Sequence, residues 1–215
     1  MEITLSQVSK RYRYEWIFRE VDHRFESGRS YAITGPNGSG KSTLLKILSG
    51  HLSPSKGEVR FFHHGKKVMP DEVFGHVSYA APYIELVEEF TLREALSFHQ
   101  KFKPFAQGMG TAGVLDLLGF PGSAAGKEIR HFSSGMKQRV KLALALCSAT
   151  PVLLLDEPTT NLDKQGTDWY LRLAERFAPG RLTVVASNVE EDYSFCGERL
   201  DILQYKSLPV PKNEG

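Results

Sequence analysis

Residues Gly35 to Ser42 read GPNGSGKS, a match to G-x-x-x-x-G-K-[ST], directly after the apolar run YAIT and directly before KSTLLKILSG. A glycine-rich turn between a strand and a helix is the build of a phosphate-binding loop. It commits the chain to an α/β domain whose parallel strands point their C-terminal ends at the ligand. Gly35, Pro36, Asn37, Gly38, Ser39 and Gly40 form the cradle, in which the backbone curls so that successive N–H groups face phosphate oxygens. Lys41 is placed to neutralise the β and γ phosphates of a nucleotide, the Ser42 hydroxyl to ligate magnesium, and Thr43 to add a phosphate contact. A plain glycine turn with a capping serine leaves the lysine unexplained.

A second run, VLLLDEP at Val152 to Pro158, is an apolar strand that delivers two adjacent carboxylates at its C-terminal end. Asp156 there fits a magnesium site, and Glu157 fits the group that polarises, or takes a proton from, an attacking water. Taken alone, an Asp-Glu pair after a strand is an ordinary polar loop; the phosphate loop upstream gives it chemical meaning.

The remaining pattern alternates strands and helices. Strands are expected at Ile3 to Val8, Tyr31 to Thr34, Val59 to Phe62, Val77 to Tyr79, Val152 to Asp156, Thr183 to Ser187 and Asp201 to Gln204. YAIT, VLLLD and TVVAS lack polar alternation, as strands covered on both faces do, whereas the first strands alternate and suggest a half-exposed antiparallel sheet. Helices are expected over Lys41 to Ser49, over Leu92 to Lys103 behind the T-x-x-E capping box of Thr91 and Glu94, and over Val114 to Leu118 before Gly119. Another begins after Ser133 or Ser134. The expected organisation is therefore one domain over 1–206, with a helical insertion at about 82–148, and a disordered tail over 207–215.

A chain of 215 residues with 41% hydrophobic content can bury a full core. Its 27 Lys and Arg against 25 Asp and Glu leave a net charge of +2, which supplies no field to recruit nucleic acid. The longest apolar run, Leu142 to Cys147, is far short of the roughly 18 to 20 residues that cross a bilayer. The start lacks the apolar core of a secretory signal, and Cys147 and Cys196 read as free thiols, so a cytoplasmic location is expected.

The two nucleotide-site runs, with FSSGMKQR at Phe132 to Arg139 between them, resemble the nucleotide-binding cassette of ABC transporters over nearly the whole chain. The resemblance implies a P-loop α/β fold with a parallel-sheet core, a small antiparallel β-subdomain and a helical subdomain carrying the signature. It also implies a Mg2+-dependent ATP hydrolase that pairs head-to-tail with a second cassette, identical or different, and drives a separately encoded transmembrane permease. The working place would be the inner face of the cell membrane. Tyr12 lies where the family stacks adenine on an aromatic ring, a core or surface tyrosine being the alternative. The family's L-S-G-G-Q appears here as FSSGM, so Ser133 and Gly135 match while Ser134 and Met136 depart. Ser133, Ser134 and Gly135, at a helix N-terminus, are implied to hold the γ-phosphate bound by the facing subunit. TTNLD at Thr159 to Asp163 matches the D-loop, with Asp163 in the position that couples the two sites.

The pattern breaks twice. Pro82 stands where the family's Q-loop has glutamine, and proline offers neither a side-chain amide nor an N–H. Glu85 can supply an oxygen nearby, or is simply a solvated acid. Asn188 stands where the family has a switch histidine; it still donates a hydrogen bond but is shorter and never cationic. These departures keep a second reading open, an ATP-binding regulatory module with very slow hydrolysis. A third class, the soluble ABC ATPases that work on ribosomes or DNA, carries tandem cassettes or long coiled coils, and this chain has neither.

Overall fold

The computed structural model describes residues 1–206; the expected tail over 207–215 lies outside the described residues. Two sheets organise it. β1 (Glu2–Tyr12) pairs antiparallel with β2 (Glu15–Glu26) on one side and with β4 (Lys56–His63) on the other, and β5 (Lys66–Val68) closes the order β2-β1-β4-β5. β3 (Ser30–Thr34), β6 (Val77–Ala80), β7 (Val152–Asp156), β8 (Leu182–Ala186) and β9 (Glu198–Asp201) form a parallel sheet in the order β6-β7-β8-β3-β9. The first sheet is the antiparallel one expected from alternation, and the second carries the three unalternated runs.

The parallel sheet divides the core. Alternate side chains of one strand face opposite layers: Val152 and Leu154 pack with the antiparallel sheet and α1 (Lys41–Leu48), while Leu153 and Leu155 pack with the helices of the other layer. That second layer holds α3 (Leu92–Phe102), α4 (Thr111–Leu118), α5 (Ser134–Leu146) and α6 (Lys164–Phe177); the short α2 (Val73–His76) precedes β6. Thr91 and Glu94 form the expected capping box of α3, and Gly119 closes α4 in the left-handed region. Cys147 and Cys196 are both free, and burial pushes both thiols up to about 12, so they stay protonated.

Three features differ from expectation. β2 escapes notice because its buried residues Phe18, Val21 and Phe25 are spaced by three and four, a helical interval. The cause is Glu20, whose positive φ of 55° marks an irregularity that resets the pleat. α6 was not among the expected helices, although Trp169, Leu173 and Phe177 line its buried face behind the Asp163 cap. The last strand ends at Asp201 rather than running from it to Gln204, because the Asp201 carboxylate accepts the Leu203 N–H at 2.9 Å and starts a 3-10 turn over Ile202–Tyr205.

Candidate functional site

The phosphate loop joins β3 to α1 as the sequence predicts, with Asn37 to Thr43 lining an open cleft of about 340 Å³ together with Ile17 and Glu157. Gly40 sits at the N-cap of α1 with φ 111°, and a Cβ there would lie 2.7 Å from Ile17 Cγ2, so both backbone and space require glycine. Lys41 is 4% exposed. Its ammonium donates to the carbonyls of Gly35 at 2.9 Å and Pro36 at 3.4 Å, and pairs with Glu157 Oε1 at 3.5 Å. A buried cation needs such partners. These three hold it at the floor of the cleft, where a phosphate chain can replace them.

Asp156 and Glu157 leave the end of β7 beside this loop. Glu157 takes φ 45°, a strained setting for a non-glycine residue, and its N–H donates to the Ala186 carbonyl at 2.8 Å, which holds the turn. Asp156 is fully buried: Oδ2 accepts the Tyr83 hydroxyl at 2.9 Å and the Tyr79 hydroxyl at 3.5 Å, whereas Oδ1 has no partner. Burial raises the carboxyl above its usual range, opposed by the Ser42 and Tyr83 hydroxyls and by Lys41 and Lys46. An orphaned anionic oxygen beside a serine hydroxyl fits a hard divalent cation, which takes oxygen ligands and repays the desolvation.

Asn188 is exposed at the end of β8. Asp192, which the sequence did not single out, fixes its surroundings: one carboxylate oxygen accepts Ser187 Oγ and the other accepts Thr159 Oγ1, each at 2.6 Å. The segments following β7 and β8 are thereby tied together. Burial pushes the Asp192 carboxyl up, and those two hydroxyls oppose it.

The residues expected to act on a facing subunit lie elsewhere. Ser133 caps α5 by accepting the Met136 N–H at 3.2 Å, and Asp163 caps α6 by accepting the Gly166 N–H at 2.7 Å. Ser133, Ser134, Gly135 and Met136 form one wall of a second groove, and Asn161, Leu162 and Asp163 form the other. A Cβ on Gly135 would stand 2.9 Å from the Asn161 carbonyl oxygen, so the walls touch there. The two clefts share no lining residue. Tyr12, 47% exposed at the end of β1 with the Lys10 ammonium 5.4 Å from its ring centroid, is outside both.

In the loop after β6, Pro82 presents its carbonyl to Lys141 Nζ at 2.7 Å, and Glu85 lines a separate groove with Lys137 and Lys141. Tyr83, rather than Glu85, reaches Asp156. Gln138 of α5 is buried and donates to the Pro158 carbonyl at 2.9 Å, joining the helical layer to the turn after Glu157.

Comparison with known proteins agrees with this arrangement. Residues 18–160 match the family model described as ABC transporter. The chain is 30% identical over 190 residues to a lantibiotic transport ATP-binding protein of Streptococcus pyogenes, covering 86% of this chain and 79% of that one. It is 38% identical over 152 residues to a cytochrome c biogenesis ATP-binding export protein of Brucella abortus, covering 70% and 67%. Among solved structures, a putative ABC transporter ATP-binding protein from Pyrococcus furiosus superposes with a TM-score of 0.79 at 22% identity, over 96% of this chain and all of that one. A bacterial ABC transporter cassette solved as a dimer gives 0.78 at 25% identity, over 93% and 94%. With its phosphate loop, acidic strand end and two-layered sheet core in that order, the chain belongs to the ABC transporter family, as an ATP-binding subunit.

Proposed function

We propose that the chain is the energy-coupling ATPase of a transporter: it binds Mg-ATP, closes head-to-tail on a second cassette, and drives a separately encoded transmembrane subunit. The observation that carries this reading is the buried Lys41, paired with Glu157 beside an Asp156 oxygen that has no protein partner. Gly35 to Gly40 and Thr43 cradle the phosphates, Lys41 neutralises them, and Ser42 and Asp156 hold Mg2+, which when bound offsets phosphate charge. Glu157 polarises the attacking water, with Asn188 donating a hydrogen bond from the end of β8. Tyr12 packs on the base. Ser133, Ser134 and Gly135 complete the site of the facing cassette, and Asp163 transmits closure; their groove being separate from the phosphate cleft supports action in trans. The working unit spans 1–206, with the helical part at about 82–148.

Among the described residues no helix is long and apolar enough to cross a membrane. The likeness to transport and export ATP-binding proteins supports a separate membrane partner, on which in this reading the chain docks at the cytoplasmic face. The test is steady-state phosphate release from Mg-ATP across a range of protein concentrations, beside Glu157→Gln. A specific rate that rises with protein concentration, and falls at least about 100-fold in Glu157→Gln, is expected. Wild-type turnover no faster than that of Glu157→Gln, with ATP still bound, would instead favour the regulatory module that Pro82 and Asn188 suggest.

A further inference from the structure

The loop between β6 and α3 is fastened on both sides of the molecule. Lys141 of α5 donates to the Pro82 carbonyl at 2.7 Å, which ties the loop to the helix that Ser133 caps. The Ile84 N–H donates to the Ala81 carbonyl at 3.2 Å, a tight turn that directs Tyr83 back toward the end of β7. There the Tyr83 hydroxyl donates to Asp156 Oδ2 at 2.9 Å and shares a hydrogen bond with the Tyr79 hydroxyl. The Lys46 ammonium of α1 lies 4.1 Å from the Tyr83 ring centroid. One side chain thus touches β6, β7 and the phosphate-loop helix at the point where they meet.

This arrangement answers the question raised by Pro82. Proline can place no amide near the nucleotide, but the next residue brings a hydroxyl there. Tyr83 at 2.9 Å, with the Tyr79 hydroxyl at 3.5 Å, occupies Oδ2, and the other oxygen, Oδ1, is left without a partner. A hydrogen bond to one oxygen of a carboxylate fixes the direction of the other.

We propose that Tyr83 is a positioning residue for the divalent cation. It holds Asp156 with Oδ1 free for the ion and links that position, through Pro82 and Lys141, to the helix carrying Ser133. The inference rests on the Mg2+ site at Ser42 and Asp156 proposed above. It assigns to a tyrosine hydroxyl the reach from this loop that proline cannot provide.

The experiment is calorimetric binding of the β,γ-imido analogue of ATP to the full chain, in EDTA and across a Mg2+ titration, for wild type, Tyr83→Phe and Tyr83→Gln. Tyr83→Phe keeps the ring over Lys46 and removes the donor. Its half-saturating Mg2+ should rise about tenfold, as expected for a lost hydrogen bond to a charged group, while affinity in EDTA stays within about twofold. Tyr83→Gln, which carries a donor, should return the Mg2+ response to within about threefold of wild type.

Half-saturating Mg2+ unchanged in Tyr83→Phe overturns the role of Tyr83 and leaves the metal site standing. An equal loss of affinity in EDTA marks a structural effect and also overturns it. A Gln variant as weak as the Phe variant keeps the effect with the hydroxyl, since the Phe variant retains the ring over Lys46, and shows that the shorter amide does not reach Asp156. No Mg2+ dependence in the wild type removes the metal site and this inference together.

Discussion

The two clefts of the chain are built on opposite logic. The phosphate cleft holds its charges mainly against partners of its own chain: Lys41 is paired with Glu157 and two carbonyls, and Asp156 Oδ2 accepts two tyrosine hydroxyls, while Asp156 Oδ1 is left without a partner. The groove between Ser133 and Asp163 is lined by the two helix caps, Gly135, Met136, Arg139 and the Asn161–Leu162 turn, and its two caps already serve α5 and α6. The first cleft can bind an anion by exchanging partners within one chain. The second offers a helix N-terminus to something brought against it, as a facing cassette would do. Damage to the two clefts should therefore separate binding from turnover.

The largest separation is expected from Gly135→Val. The added side chain meets the Asn161 carbonyl oxygen, which is 2.9 Å from where a Cβ would stand, and must push the walls of the groove apart. Turnover should fall at least about 100-fold, the scale of losing preorganised donors at a developing charge. Affinity for ATP in the monomer should stay within about threefold, because the phosphate cleft shares no lining residue with this groove. Parallel measurements of nucleotide binding and phosphate release check it, and equal losses in both would erase the distinction between the clefts.

A second prediction concerns the helical layer that carries the groove. His99 of α3 hydrogen-bonds Ser148 at 2.8 Å, and burial, aided by Lys103, lowers its pKa to about 4. The folded chain keeps this ring neutral while the unfolded chain takes up a proton below pH 6.5, so stability is full above 6.5 and lost as pH falls toward 4. Holding this imidazole at about 4 instead of 6.5 corresponds to about 3 kcal/mol. Asp156 and Asp192, whose carboxyls are raised, act in the opposite direction, since protonating them relieves a buried charge. Denaturant unfolding of wild type and His99→Gln at pH 7 and pH 4.5 isolates the histidine: the variant should lose less stability on acidification by about 2 kcal/mol. An identical acid loss in both would show that the helical layer does not depend on a neutral ring at this position.

Legibility in the sequence follows the same division. The phosphate loop and VLLLDEP could be read because their chemistry lies in consecutive residues bounded by a strand and a turn or helix. A serine cap at Ser133 or Ser134 could be read for the same reason, and the structure selects Ser133. β2 could not, since the irregularity at Glu20 moves Phe18, Val21 and Phe25 off a two-residue period. α6 carries a legible signal in Asp163 and the four-residue spacing of Trp169, Leu173 and Phe177, but the D-loop resemblance gives Asp163 another role and masks its place as a helix cap. Tyr83 left no local trace: its bond to Asp156 spans 73 residues, and only the parallel pairing of β6 with β7 brings the two together. The same holds for Asp192, whose contact with Thr159 spans 33 residues.

The smallest effect is expected at Asn188, and it sharpens the comparison because this residue belongs to the phosphate half yet departs from the family's histidine. The Ser187 N–H donates to the Ile33 carbonyl at 3.3 Å, and Asp192 ties Ser187 to the turn after Glu157, so residue 188 is held at the strand ends that carry the phosphate loop and both carboxylates. Asparagine can donate one hydrogen bond from there, whereas a histidine is longer and can carry charge or pass a proton. Asn188→His should therefore raise turnover about threefold to tenfold, or roughly 1 kcal/mol of transition-state stabilisation. Affinity for ATP should be unchanged within about twofold, because the proposed site holds the ground state through Lys41 and the loop amides. Phosphate release measured at low and high protein concentration decides where the gain arises. A gain present only at high concentration places residue 188 in the closed pair, where both clefts meet on one nucleotide. A gain at every concentration confines it to the phosphate cleft alone. Unchanged or lower turnover means that the asparagine is already suited to this site and that the slower step lies in closing the second groove.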